Sequence, residues 1–102
     1  WVVDAHQNIT EVNNAYCRMT GYTREEILNM TISDLEVIEN PQETKQRIQR
    51  IIENGSEIFE TKHRKKDGST VDVQVSATYV PINGDKFICF SRDISTQRED
   101  KQ

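Results

Sequence analysis

Four side chains in this sequence have the chemistry for metal, redox or nucleophilic work: Cys17, Cys89, His6 and His63. A structural or catalytic zinc needs such ligands paired at short spacing, and here they are scattered singly along the chain. Cysteines this far apart make no disulfide framework either, and they read as reduced thiols of a cytoplasmic protein. Nucleophilic catalysis has no Gly-x-Ser-x-Gly elbow to carry it, phosphate chemistry has no glycine-rich P-loop, and c-type haem has no Cys-x-x-Cys-His. The expectation is therefore no catalysis and no metal. His6 falls in a polar turn. His63 opens the basic run His63-Arg64-Lys65-Lys66 and reads as a partly exposed side chain beside a solvated hairpin end. The Asn-x-Ser/Thr triplets at Asn8, Asn29 and Asn54 read as chance, because asparagine is frequent in the turns of this chain.

The elements that position these groups must come from 102 residues, enough for one domain with a modest core. Apolar residues make up 34% and charged residues 29%, the composition of a soluble folded domain and not of a disordered tail. The net charge of −4 argues against nucleic acid, since phosphate binding needs a basic face. No apolar run approaches the roughly 18–20 residues that span a bilayer, and no signal peptide is present. The chain opens on Trp1-Val2-Val3, already strand-like, and reads as a segment of a larger protein.

Periodicity orders the chain into strands, helices, then strands. Val2-Val3 and Ile9 to Val12 flank a polar turn and read as a hairpin. Asn13 or Asn14 caps a helix with Ala15, Tyr16 and Met19 as its apolar positions, and Gly21 ends it. Three helix starts follow. Thr23-x-x-Glu26 is a capping box with Tyr22 and Ile27 as hydrophobic staple. Ser33-x-x-Glu36 reads as a second, with Ile32 and Val37. Asn40-Pro41-x-Glu43 is a third, with proline at the first helical position. The helix from Pro41 carries Thr44, Ile48, Ile51 and Ile52 on one face and closes at Asn54-Gly55. From Glu57 the period becomes two. Ile58 to Arg64 is a strand, Lys66-Asp67-Gly68 a turn, and Val71, Val73, Val75, Ala77 and Tyr79 alternate with polar residues along a half-buried strand. Asn83-Gly84 signals a type I′ hairpin. Phe87-Ile88-Cys89-Phe90, apolar at every position, predicts a strand covered on both faces. The fold class is α+β: a five-stranded antiparallel sheet with several short helices packed on one face.

Asn13, Ala15, Gly21-Tyr22, Glu25-Glu26-Ile27-Leu28, the turn Lys65-Lys66-Asp67-Gly68 and the closing Asp93-Ile94-Ser95 resemble, in this order and spacing, the PAS (sensory box) family. The likeness covers about residues 2–98. The family usually closes on Asp-Ile-Thr; Ser95 keeps the hydroxyl and loses the methyl. The resemblance implies a regulatory module, residues 1–95, followed by the start of a helical output linker, residues 96–102. It implies a homodimer formed through the outer sheet face and flanking helices. It also implies a signal junction at Asp93, Ile94, Ser95 and Arg98, with Asp93 paired to Arg98 or to a lysine of the Lys65-Lys66 turn and Ser95 bonded to it.

The resemblance also frames the cofactor question. Haem-binding members carry a histidine on the long helix, and residues 41–54 contain none. Flavin photosensors of the LOV type carry Asn-Cys-Arg-Phe-Leu-Gln on a later helix; Tyr16-Cys17-Arg18-Met19-Thr20 lacks the Asn and the Gln and lies too early. Trp1 is too near the start of the chain to serve as a flavin-stacking residue. The expectation is no cofactor, with a small-molecule ligand of unknown identity left open. The family's cavity lies between sheet and long helix. Its candidate lining is Tyr16, Met19, Ile48, Ile51, Ile52, Phe59, Val73, Val75, Phe87 and Cys89. The same residues would fill a core, and a filled or nearly filled core is the reading adopted. Arg47 and Arg50 flank the stripe and read as solvated. The function expected is signal input to a C-terminal effector of a multidomain prokaryotic protein, a sensor histidine kinase or a GGDEF diguanylate cyclase. A haem- or flavin-bearing sensor and a ligand-free dimerisation module are the alternatives.

Overall fold

A computed structural model describes residues 1–95. Strands β1 (Val2–Asp4) and β2 (Ile9–Glu11) are followed by helices α1 (Asn14–Thr20), α2 (Arg24–Leu28), α3 (Ile32–Leu35) and α4 (Pro41–Asn54). Strands β3 (Ser56–Arg64), β4 (Thr70–Val80) and β5 (Lys86–Asp93) complete one antiparallel sheet in the order β2-β1-β5-β4-β3. The first and last strands of the chain are therefore neighbours, which places the N-terminal hairpin beside the exit of the domain.

Local chemistry explains most boundaries. The Asn13 side chain accepts the Tyr16 N–H at 2.9 Å and starts α1. Gly21 ends α1 in the left-handed region at φ 84°, where a side chain would be strained. The boxes Thr23/Glu26 and Asn40/Glu43 form as their sequences predict. The middle one does not. The α3 cap is Thr31, whose N–H donates to Asp34 at 2.9 Å, two residues earlier than the Ser33/Glu36 frame. This earlier frame buries Ile32 and Leu35 together and releases Glu36 from the helix in an extended conformation. The gain in apolar burial decides between two boxes of similar local strength.

Val71, Val73, Val75 and Ala77 of β4 point into the core with Phe87 and Cys89 of β5. Helix α4 lays Ile51 and Thr44 against them, with Ile48 and Ile52 half-buried. Two expectations for β5 are corrected. Asn83 and Gly84 both take positive φ, but Val80 pairs with Lys86, so the connection is the longer loop 81–85. The strand is also covered on one face only. Phe87 and Cys89 are buried, while Ile88 and Phe90 emerge on the outer face, Phe90 being 67% exposed. Among the described residues, no helix is long and apolar enough to cross a membrane.

Candidate functional site

A polar array sits inside the fold where β3 meets the chain leaving α3. Val37 donates its N–H to Lys62 at 3.0 Å, and Glu36 bridges to His63, so the carboxylate is pinned against the strand. Glu36 Oε1 accepts from the Thr61 hydroxyl and from the N–H groups of Ile38 (3.1 Å) and Glu39 (3.3 Å). Its Oε2 lies 3.7 Å from His63 Nε2, too far for a hydrogen bond. His63, expected to be partly exposed, is 1% exposed. Continued alternation along β3 turns it inward with Thr61, and its Nδ1 lies 2.7 Å from the Tyr16 hydroxyl.

These contacts suit one imidazole tautomer. Burial raises the Tyr16 phenol well above its ordinary value, so its O–H must be donated. His63 Nδ1 is its only acceptor among the described residues, which leaves the imidazole proton on Nε2. Burial also lowers the His63 pKa to about 4, so the ring is neutral at pH 7. Desolvation raises the Glu36 carboxyl above its usual range, against the opposing bonds from Thr61 and the backbone. Trp1 packs on both rings, its centroid 5.6 Å from Tyr16 and 6.0 Å from His63.

The array borders a cavity of about 50 Å³ between the sheet and α4. Ile48, Ile51, Phe59, Val75, Phe87 and Cys89 line it, as do Trp1, Ala77, Thr44, Glu36 and His63. Four other candidates from the sequence lie elsewhere. Tyr16 acts from behind His63, Val73 is solid core, Ile52 packs at the margin, and Met19 borders a groove with Tyr16, Ser91 and Asp93. Thr44 Oγ1 is buried without a hydrogen-bond partner among the described residues. Such an orphan hydroxyl costs about 1–3 kcal/mol. The signal for it was visible: a polar residue on an otherwise apolar helical stripe.

Arg47 is not solvated as expected. It holds Glu39 through Nε at 2.9 Å and 3.0 Å and Nη2 at 2.7 Å, reaches Glu57 at 3.3 Å, and lies 3.7 Å over the Phe59 ring. Burial works against its charge, but the bonds from Glu39 prevail and hold its pKa above the ordinary value. The more exposed Arg50 reaches the same Glu57 at 3.8 Å. Burial pushes the Cys89 thiol up to about 12, so it stays protonated. Among the described residues no group of His, Cys, Asp and Glu gathers as a metal site.

The exit of the domain is built at the end of β5. Ile94 is buried and its N–H donates to Asp72 at 2.9 Å. Asp93 accepts the backbone N–H of Ser95 at 2.9 Å, so the two residues are bonded to each other as expected. Lys66 of the turn pairs with Glu26 at 2.9 Å, not with Asp93. Arg98, the other expected partner, lies outside the described residues, as does the linker 96–102.

Among the described residues an antiparallel sheet packs against α4 with a small cavity between them, an architecture that by itself assigns no function. The family model for the PAS domain matches residues 1–96, and the chain belongs to this family, whose members are regulatory sensors. It is 33% identical over 90 residues to a methyl sulfide methyltransferase-associated sensor from Methanosarcina acetivorans, covering 87% of this chain and 9% of that protein. The chain thus spans under a tenth of the curated relative it matches. The PAS domain of an HTR-like protein from Haloarcula marismortui superposes with a TM-score of 0.84 at 30% identity, over 91% of this chain and 78% of that one. A PAS domain from a two-component sensor histidine kinase gives 0.74 at 26% identity, over 91% and 81%.

Proposed function

We propose that this chain is the input domain of a multidomain prokaryotic signalling protein, cytoplasmic, whose effector follows it and is a sensor histidine kinase or a GGDEF diguanylate cyclase. The kinase similarity supports the first of these. One observation carries the reading: β5 contributes Phe87 and Cys89 to the cavity wall and, four residues later, forms the Asp93-Ile94-Ser95 exit. A change in cavity occupancy or in packing on the outer face shifts β5, and the exit transmits that shift to the linker. The domain works without haem or flavin. Cofactor sites run to roughly 300–1,000 Å³, against the about 50 Å³ present here. It acts as a homodimer through the outer sheet face, where Ile58, Ile88 and Phe90 are exposed, and it has no nucleic-acid or membrane partner.

Asp93→Ala tests the coupling in the protein that carries this chain. The circular dichroism spectrum and melting of the domain should stay unchanged, because among the described residues the carboxylate supports only the turn after β5. Effector output should stop responding to the input. An unfolded variant, or one whose output responds normally, would sink the junction assignment.

A further inference from the structure

A buried pair of ionisable groups joins α1 to β3, and the input-domain reading gives it no task. Tyr16 is 3% exposed and His63 1%, and the phenol oxygen lies 2.7 Å from His63 Nδ1. Apolar side chains would fill this space without the desolvation that a phenol and an imidazole bring. Perturbed ionisable groups of this kind cluster at functional sites. The neighbours narrow the chemistry. Trp1 is half-buried and borders two surface grooves, and its ring centroid is 5.6 Å from that of Tyr16. An electron crosses such a gap without any movement of the fold. The indole N–H donates to the Ser91 hydroxyl at 2.7 Å, a weak base that leaves the indole proton in place. Beyond the other imidazole nitrogen, Glu36 Oε2 lies 3.7 Å from His63 Nε2. A phenol that loses an electron becomes a strong acid, so a buried tyrosine is readily oxidised only where a base stands ready for its proton. His63 Nδ1 is that base, and the Glu36 carboxylate offsets the charge of the imidazolium that results.

We propose that Trp1, Tyr16 and His63 form a one-electron oxidation site. A one-electron outer-sphere oxidant takes an electron from the Trp1 indole and leaves its radical cation. An electron then passes from Tyr16 to Trp1 and restores the indole. In the same step the Tyr16 O–H bond breaks, and its proton forms the Nδ1–H bond of His63. The products are a neutral tyrosyl radical, an imidazolium facing Glu36, and the reduced oxidant. One electron leaves the protein and the proton stays within the pair, so reduction of the radical returns the proton to Tyr16 and resets the site. The site needs neither an effector nor a cavity ligand, and it stands apart from the input-domain reading.

The test is flash photolysis of the chain with photogenerated tris(bipyridine)ruthenium(III) as oxidant, read by transient absorption. The parent for this experiment carries Tyr22→Phe and Tyr79→Phe, which leaves Tyr16 as its one tyrosine. A tyrosyl radical should grow in as the indole radical decays, and more slowly in D₂O than in H₂O. Its rate and yield should not change between neutral and mildly alkaline pH, because the proton goes to His63 and not to water. His63→Gln keeps an acceptor for the phenol and removes the base. It should lose the tyrosyl signal and leave a long-lived indole radical. Trp1→Phe should lose both signals. Circular dichroism reports whether each variant keeps its fold. A tyrosyl yield undiminished in folded His63→Gln, a yield that climbs with pH as for a phenol releasing its proton to water, or no tyrosyl radical in the parent would each overturn the proposal. Should His63→Gln fail to fold, the isotope effect and the flat pH profile of the parent decide alone.

Discussion

Glu36 and His63 share a dry site in which each is pushed toward its neutral form, and their effects on stability oppose one another. An unfolded histidine takes up its proton as pH falls through about 6.5. Folded His63 does so near pH 4. Between these values the unfolded state binds more protons, so folding stability falls as pH falls. Taken alone the shift from 6.5 to about 4 corresponds to about 3 kcal/mol. That figure is a ceiling, for two reasons. Glu36 has a raised pKa, so its contribution is present at low pH and is lost as pH rises through its folded value. A protonated imidazole would also face Glu36 Oε2 at 3.7 Å. The expected outcome is that the His63 ring resonances stay fixed until pH approaches 4 and that urea midpoints decline from pH 6.5 downward. A His63 titration near its ordinary value would contradict the burial. The burial was legible in the alternation of Phe59, Thr61 and His63, yet the basic neighbours Arg64 to Lys66 suggested exposure. The partners were not legible. Thr61 and His63 lie 25 and 27 residues from Glu36, and no local pattern brings them together.

Helix α4 forms one wall of the cavity, and its start is set by chemistry that the sequence displays in full. Asn40 accepts the Glu43 N–H at 2.8 Å, Glu43 accepts the Asn40 N–H at 3.1 Å, and Pro41 presets the first turn. Asn40→Ala removes half of this reciprocal pair and should cost about 1 kcal/mol. It should lower the urea midpoint without changing the slope, and a cost near zero would mean that α4 is held by packing alone. The α3 region shows why such signals are insufficient by themselves. Thr31-x-x-Asp34 and Ser33-x-x-Glu36 overlap, and either could open a helix. Burial of Ile32 and Leu35 selects the first, and with it sends Glu36 into the interior. A two-residue difference in frame, decided by tertiary packing, thus separates a solvent-facing helix cap from the central acid of the candidate site.

At the scale of the whole molecule, the sheet has two faces and the described residues cover one. Pairing places Ile58, Ser76 and Phe90 in one row on the outer face, with Ser56, Thr78 and Ile88 in the next. Ile58 is 68% exposed and Phe90 67%. The uninterrupted run Phe87 to Phe90 predicts cover on both sides of β5, and the described residues supply the inner cover only. Exposed apolar residues at 88 and 90 are the surface that the proposed homodimer would use. A second copy meeting the same rows would bury them isologously. Phe90→Glu should then convert a dimer to a monomer in size-exclusion chromatography with light scattering, leave the circular dichroism spectrum unchanged, and have little effect on the melting of the monomer. Ser76→Glu, in the same row, should act in the same direction. Wild-type protein that stays monomeric at every concentration, or a Phe90→Glu variant that still dimerises, would show that this face meets a different protein or none.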